Sequence, residues 1–304
     1  MTVVNAMRFN DTEGGMVADS QGSSHLRKYD FFEKVRPLVT KNSTSVLLGG
    51  SGVSELLVQV QTQLDHYLAG KDFSVSDIAC AVSDIMTGVK RHYVDRHLKA
   101  TFGVDTQQAL SGQGIGQHLL SSITELLSCQ RKDLQEFFSN SFLLLGTDTR
   151  GLHLYAISMT TGTPLISSIP YATIGSGSDA SDHVLAQRLS RLKREKRSCL
   201  TLVEGMTALL SATNTSADLN PGVGGVPTVA YFRNDKIVTL GEDESRFASE
   251  LVRLYDAHLL QGETPLAPLE QLLTEATPLQ ALEESTFEKA PNYRELMHFL
   301  RGYK

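Results

Sequence analysis

Cysteine is scarce in this chain. The 304 residues contain three, Cys80, Cys129 and Cys199, scattered and without paired spacing. That excludes a disulfide-stapled fold and makes a reducing compartment, the cytoplasm, the expected location. Apolar runs long enough to cross a bilayer are missing, and the N-terminus lacks the apolar core of a signal peptide, so no membrane is expected. An excess of positive charge is missing too. Lys and Arg number 28 against 34 Asp and Glu, and the net charge of −6 argues against nucleic acid or an anionic membrane as partner. The nine histidines fall at no metal-binding spacing, and His92 and His97, five apart on a predicted helix, miss the i+3 and i+4 positions that share a face. Neither a metal nor a cofactor is expected.

What is present is enough apolar content, 41% of residues, to bury a sizeable core. Residues 2 to 48 read as short strands joined by polar turns such as Asn10–Gly14 and Thr40–Ser43, with a β-rich segment through Phe31, Phe32 and Glu33. Helical periodicity follows. Val53, Leu56, Leu57, Val60, Leu64, Tyr67 and Leu68 share one face, and Gly70 is a stop. Val75, Ile78, Ala79, Val82, Ile85, Met86 and Val89 share another, with Ser74 as candidate cap. A polar, glycine-bearing stretch then leads to helical patterning at Leu119, Leu120, Ile123, Leu126 and Leu127. Strands return at 142–145 and 152–157, two helices cover about 180–213, and a hairpin at 226–240 turns at Asn234-Asp235. Strands, paired helices, strands and paired helices again make two antiparallel sheets between helical layers the economical arrangement, an α+β, four-layer αββα sandwich. From Glu242 to Lys304 the chain reads as an acidic helical extension.

The N-terminus carries the chemistry. Removal of Met1 leaves Thr2 with a free α-amine, which places a hydroxyl nucleophile and a base within one residue. Such an amine titrates at about 7.7–8.0, so part of it is unprotonated at neutral pH and able to take the hydroxyl proton. Many chains begin Met-Thr with no catalytic consequence, and what lifts this one is the order that follows. Asp19 closes the second strand, Lys34 stands just before apolar Val35, and Leu47-Leu48-Gly49-Gly50-Ser51-Gly52 runs from a strand through glycines into a helix. Far downstream lies Gly175-Ser176-Gly177.

This order resembles the proteasome β-subunit family of N-terminal nucleophile hydrolases, over roughly residues 2–240. Asp19-Ser20-Gln21 is more similar to the bacterial HslV peptidase than to the proteasome proper. The resemblance implies Thr2 as nucleophile, Asp19 as the acid, Lys34 as the buried lysine, Ser176 beside the nucleophile and Gly49 as oxyanion-hole amide. It also implies a peptidase acting on peptides or unfolded proteins inside homo-oligomeric rings, with an ATPase unfoldase as candidate partner. The family core usually has nothing at residues 101–139, which are expected to be a helical insertion in a domain spanning 2–241, with 242–304 appended. The stretch Asp218-Leu219-Asn220-Pro221-Gly222-Val223-Gly224-Gly225 has Asn220 and Val223 where proteasomal members carry Asp and Ser. Asp218 and Asn220 are the candidates for supporting the terminal amine, in an altered form.

Rival motifs are weaker. Gly175-Ser176-Gly177-Ser178-Asp179-Ala180 matches the dinucleotide pattern G-x-G-x-x-A, but the expected acidic strand end is replaced by the basic run Arg188, Arg191, Lys193, Arg194, Lys196 and Arg197. That run lacks interleaved aromatics, so a solvated helix end or a subunit contact is the simpler reading than nucleic acid. Gly49-Gly50-Ser51-Gly52 lacks the Lys-Ser/Thr of a phosphate loop. Three classes of function stay open: a compartmentalised threonine peptidase, an amidase or peptide ligase using the same nucleophile on one defined substrate, and a catalytically silent structural subunit.

Overall fold

The computed structural model describes the chain apart from residues 1, 25–26, 30–33, 41–43, 112–115, 128–137, 261, 263, 276 and 289–304. The expected strand residues Phe31, Phe32 and Glu33, the turn residues Lys41, Asn42 and Ser43, and Cys129 lie outside the described residues.

Strands β1 (Val4–Arg8) and β2 (Gly14–Ala18) open the chain, followed by a small hairpin of β3 (Gly22–Ser24) and β4 (Arg27–Tyr29), then β5 (Val35–Val39) and β6 (Ser45–Ser51). The turn after β1 is fixed by Asn10, whose Oδ1 accepts from the N–H groups of Thr12 (3.0 Å) and Glu13 (2.8 Å). Helices α1 (Ser54–Leu68) and α2 (Val75–Phe102) follow, then α3 (Thr106–Ser111) and α4 (Gln117–Leu127) within the expected insertion. Ser74 caps α2 as its sequence position suggests. Its Oγ accepts from Asp77 N and donates to the Asp77 carboxylate at 2.7 Å, and this bond first, with the Ser74 N–H that Asp77 also accepts second, holds the Asp77 carboxyl below its usual range.

Strands β7 (Ser141–Asp148), β8 (Gly151–Ser158), β9 (Pro164–Ile166) and β10 (Tyr171–Ile174) lead to α5 (Ser178–Ser190), a 3-10 turn at Arg194–Ser198 and α6 (Leu202–Leu219). The last hairpin, β11 (Thr228–Arg233) and β12 (Lys236–Thr239), turns at Asn234 and Asp235, both with positive φ, as a tight hairpin with right-handed strand twist requires. The C-terminal part is helical: α7 (Glu242–Asp256), α8 (Ala267–Thr274) and α9 (Leu279–Glu288).

The strands form two five-stranded antiparallel sheets. One runs β10-β1-β2-β11-β12 and the other β5-β6-β7-β8-β9. Strand alternation sorts the side chains into layers. Val4, Ala6, Met16, Ala18, Leu47, Leu143 and Leu145 face the space between the sheets. Met7, Phe9, Val17 and Tyr231 face α5 and α6 on one outer side, while Val46, Leu48, Phe142 and Leu144 face α1 and α2 on the other. The result is the expected four-layer sandwich. Residues of the C-terminal helices, among them Ala248, Leu251, Leu269 and Leu282, share the core of α5 and α6, and the buried Tyr231 hydroxyl donates to the Leu273 carbonyl at 2.9 Å. Among the described residues no helix is long and apolar enough to cross a membrane.

Candidate active site

Antiparallel pairing brings the residues singled out in the sequence to one end of the two-sheet stack. β1 pairs with both β2 and β10, with Val4 opposite Ala18 on one side and Ile174 on the other. Thr2, Asp19 and Ser176 each lie within two residues of those register positions, so the ends of three strands meet around Thr2. The Thr2 nitrogen donates to Ser176 Oγ at 3.1 Å, and the Thr2 carbonyl accepts from the Gly177 N–H at 3.2 Å. Gly175 is required here. Its φ is +99°, and a Cβ would be driven into the Thr2 carbonyl.

Below Thr2 lies a buried ion pair. Lys34 Nζ donates to Asp19 Oδ1 at 2.7 Å and to the Gln21 carbonyl at 2.6 Å, and the two side chains are only 3% and 1% exposed. Asp19 accepts two further hydrogen bonds, Val3 N–H on Oδ1 (2.8 Å) and Gly224 N–H on Oδ2 (3.2 Å). The first ties the carboxylate to the residue next to Thr2. Burial pushes the Lys34 ammonium down from its ordinary value and the Asp19 carboxyl up, and their mutual attraction opposes both shifts. An ammonium has three donors, two of which are engaged by Asp19 and Gln21.

Gly49 does not fit the role of oxyanion donor. Gly50 N–H donates to the Lys34 carbonyl, which makes Lys34 and Gly50 a hydrogen-bonded pair and Val35 and Gly49 the adjacent non-bonded one. The Gly49 N–H therefore points the other way, into the ladder with β7, opposite Leu143. Its lack of a side chain serves packing: a Cβ would come within 2.7 Å of Val4 Cγ1 and 2.6 Å of Met16 Sδ between the sheets.

Asp218 and Asn220 are also placed away from the role expected of them. The Asp218 carboxylate is held by Arg253 at 2.7 and 2.8 Å, and Asn220 Nδ2 donates to the Ser216 carbonyl at 3.0 Å. The stretch reaches the site through backbone instead. Gly224 N–H holds Asp19, and the Gly224 carbonyl accepts from Gln21 N at 3.0 Å. A second support was not read from the sequence. Ser216, fully buried on α6, donates its hydroxyl to the Gly177 carbonyl at 2.7 Å and lies 2.8 Å from Ser181 Oγ, which fixes the turn carrying Ser176. Buried Ser51, at the end of β6, stands beside Gly175, its Oγ 3.0 Å from where a Gly175 Cβ would be. A serine on a mostly apolar helix face, and one in a glycine turn, carry no pattern that marks them.

No protein-family model matches the chain, and no curated protein matches it. Solved structures do match along nearly the whole length. Anbu, described as an ancestral beta-subunit, from Yersinia bercovieri has a TM-score of 0.56 and 14% identity over 86% of this chain and 98% of its own. A helical assembly of the Anbu complex from Pseudomonas aeruginosa gives 0.55 and 15% over 92% and 99%. Anbu from Hyphomicrobium sp. strain MC1 gives 0.53 and 13% over 91% and 99%. At such identities the likeness is one of fold alone.

Proposed function

We propose that this chain is an N-terminal threonine peptidase that hydrolyses peptide bonds of peptide or unfolded-protein substrates as a subunit of a homo-oligomer. One observation carries the reading: the Thr2 nitrogen rests on Ser176 Oγ, and the N–H of the next residue, Val3, is held by a buried Lys34–Asp19 pair. Burying such a pair is costly to the fold, and a chain that keeps one next to a hydroxyl residue has a chemical use for it.

In the reaction, removal of Met1 turns the Thr2 nitrogen from an amide donor into an amine. The amine takes the Thr2 Oγ proton, directly or through one water, as Oγ attacks the substrate carbonyl. Lys34 keeps a positive charge close to Oγ and holds the amine's pKa down by like-charge repulsion. Ser176 orients the amine. The oxyanion meets the backbone N–H of Gly52, just past the β6 ladder and of the same parity as Gly50, rather than that of Gly49. Collapse passes the proton to the leaving amine, and water then cleaves the ester left on Thr2.

Residues 2–241 constitute the catalytic domain, with 101–139 and 242–304 shaping assembly or access. The likeness to Anbu, for which a helical assembly is described, supports a homo-oligomer, and it adds an open helical arrangement to the closed rings that the sequence resemblance implies. An ATP-driven unfoldase is the partner class that such an assembly needs for folded substrates. The test is turnover of fluorogenic peptides by protein shown by intact mass to begin at Thr2, beside Thr2→Ala. Hydrolysis lost in the variant supports the reading. Equal rates in both place the activity elsewhere.

A further inference from the structure

The basic run between α5 and α6 takes no part in the site. It folds into a defined knob: Arg197 Nε donates to the Leu192 carbonyl (3.1 Å), its Nη2 donates to the Ser190 carbonyl (3.3 Å), and residues 194–198 close as the 3-10 turn. Two of its cations are satisfied within the molecule, Arg188 by Asp256 and Lys196 by Glu204. Arg191, Lys193 and Arg194 are exposed and make no ion pair among the described residues, and the knob's single acid is Glu195. The knob stands out on a chain of net charge −6.

Directly after the knob the surface changes sign. An open cleft of about 570 Å³ is lined by Cys199 and Thr201 together with Glu13, Glu204 and Glu270. Knob and cleft adjoin, because Cys199 follows the turn and Lys196 reaches across to Glu204 at 2.6 Å. Glu204 is neutralised by Lys196, and a polyanion approaching the knob therefore meets the carboxylates of Glu13 and Glu270. A positive and a negative patch side by side are instead complementary to themselves under a two-fold rotation, which sets each knob over the other cleft.

We propose that the knob at 190–198 and the adjacent cleft form a reciprocal two-fold contact between two copies of this chain. The proposal rests on the homo-oligomeric part of the function above and names the surface that makes it. Because the charges involved are exposed, the contact is sensitive to salt.

The test uses the full-length protein, with circular dichroism confirming that each variant is folded. Sedimentation velocity is run at about 0.05 M and about 0.5 M salt, a range over which screening becomes severe. A knob variant carries Arg191→Glu, Lys193→Glu and Arg194→Glu, and a cleft variant carries Glu13→Lys and Glu270→Lys. Expected are association of the wild type that weakens at least about tenfold at the higher salt, loss of that association in each variant alone, and recovery in their equimolar mixture, where both contacts become attractive again. Variants that associate like the wild type, or a mixture that does not recover, overturn this contact and leave the peptidase reading intact. A wild type that stays monomeric at every salt concentration removes the homo-oligomer and this contact together. Unchanged association with knob-dependent binding of a labelled single-stranded oligonucleotide assigns the knob to nucleic acid and overturns the proposal.

Discussion

Replacing Lys34 by Met removes one half of a buried ion pair and leaves Asp19 with only the Val3 and Gly224 N–H groups. Stranding a buried charge in this way costs about 3–5 kcal/mol. At about 2 °C per kcal/mol for a protein of this size, the midpoint of thermal unfolding at pH 7 falls by roughly 6–10 °C. The pH dependence carries the diagnosis. Asp19 has its carboxyl raised above the ordinary 3.8 by burial, so the folded state binds its proton more tightly than the unfolded state does. The stability associated with Asp19 is full below about pH 3.8 and is lost as pH rises through the folded-state value. Lys34, held below its ordinary 10.5, has the opposite sign, and its contribution is full above that value and lost as pH falls through the folded one. Near neutrality both groups therefore stand at a cost, which their attraction reduces but does not cancel in the wild type. Without Lys34 the Asp19 value climbs further, so the deficit of Lys34→Met is largest at neutral pH and shrinks toward pH 4.5. Adding Asp19→Asn recovers part of the loss at pH 7 while activity stays absent. Thermal melts of the wild type, Lys34→Met and the double variant across pH 4.5–8 check this. A Lys34→Met deficit that does not vary with pH, or a double variant less stable than the single, refutes the argument.

Three further outcomes follow from the geometry. Ser176→Ala removes one uncharged hydrogen bond to the Thr2 nitrogen, and peptide hydrolysis should fall about 2- to 12-fold rather than vanish. Gly175→Ala forces a side chain against the Thr2 carbonyl at positive φ, a strain of about 1–3 kcal/mol before the clash is counted, so both melting temperature and turnover should drop. Asp218→Ala breaks only an ion pair whose carboxylate is 60% exposed; it should leave turnover unchanged and cost no more than about 1 kcal/mol in a denaturant titration.

Periodicity and residue type carried much of this structure. The α2 face was legible because Val75, Ile78, Ala79, Val82, Met86 and Val89 repeat at helical spacing, and all are buried; only Ile85 of that set is partly exposed. The α1 stripe overreached at Tyr67, 43% exposed, which stacks on Phe73 rather than entering the core. The helical character of 242–288 was legible too. Its burial against α5 and α6 was not, since an acidic amphipathic helix packed on its own domain reads like one awaiting a partner. At the site, Thr2 stands out by its place behind Met1, and Asp19, Lys34 and Ser176 are reached through the order they share with the family that the sequence resembles. Gly49 was misassigned because the direction of an N–H depends on strand parity, which one hydrogen bond, Gly50 to Lys34, decides. Gly224 and Gln21 act through their backbones, and no side-chain pattern reports that.

The central claim is that Thr2 is the nucleophile and becomes one by losing Met1. Treating full-length protein with a threonine-directed electrophile, then measuring intact mass and sequencing the N-terminal peptide, tests it directly. The predicted result is a species lacking Met1 with one adduct on Thr2, absent in Thr2→Ala and slower to form in Lys34→Ala. A chain that retains Met1 yet hydrolyses peptides, or an adduct on another residue, contradicts it.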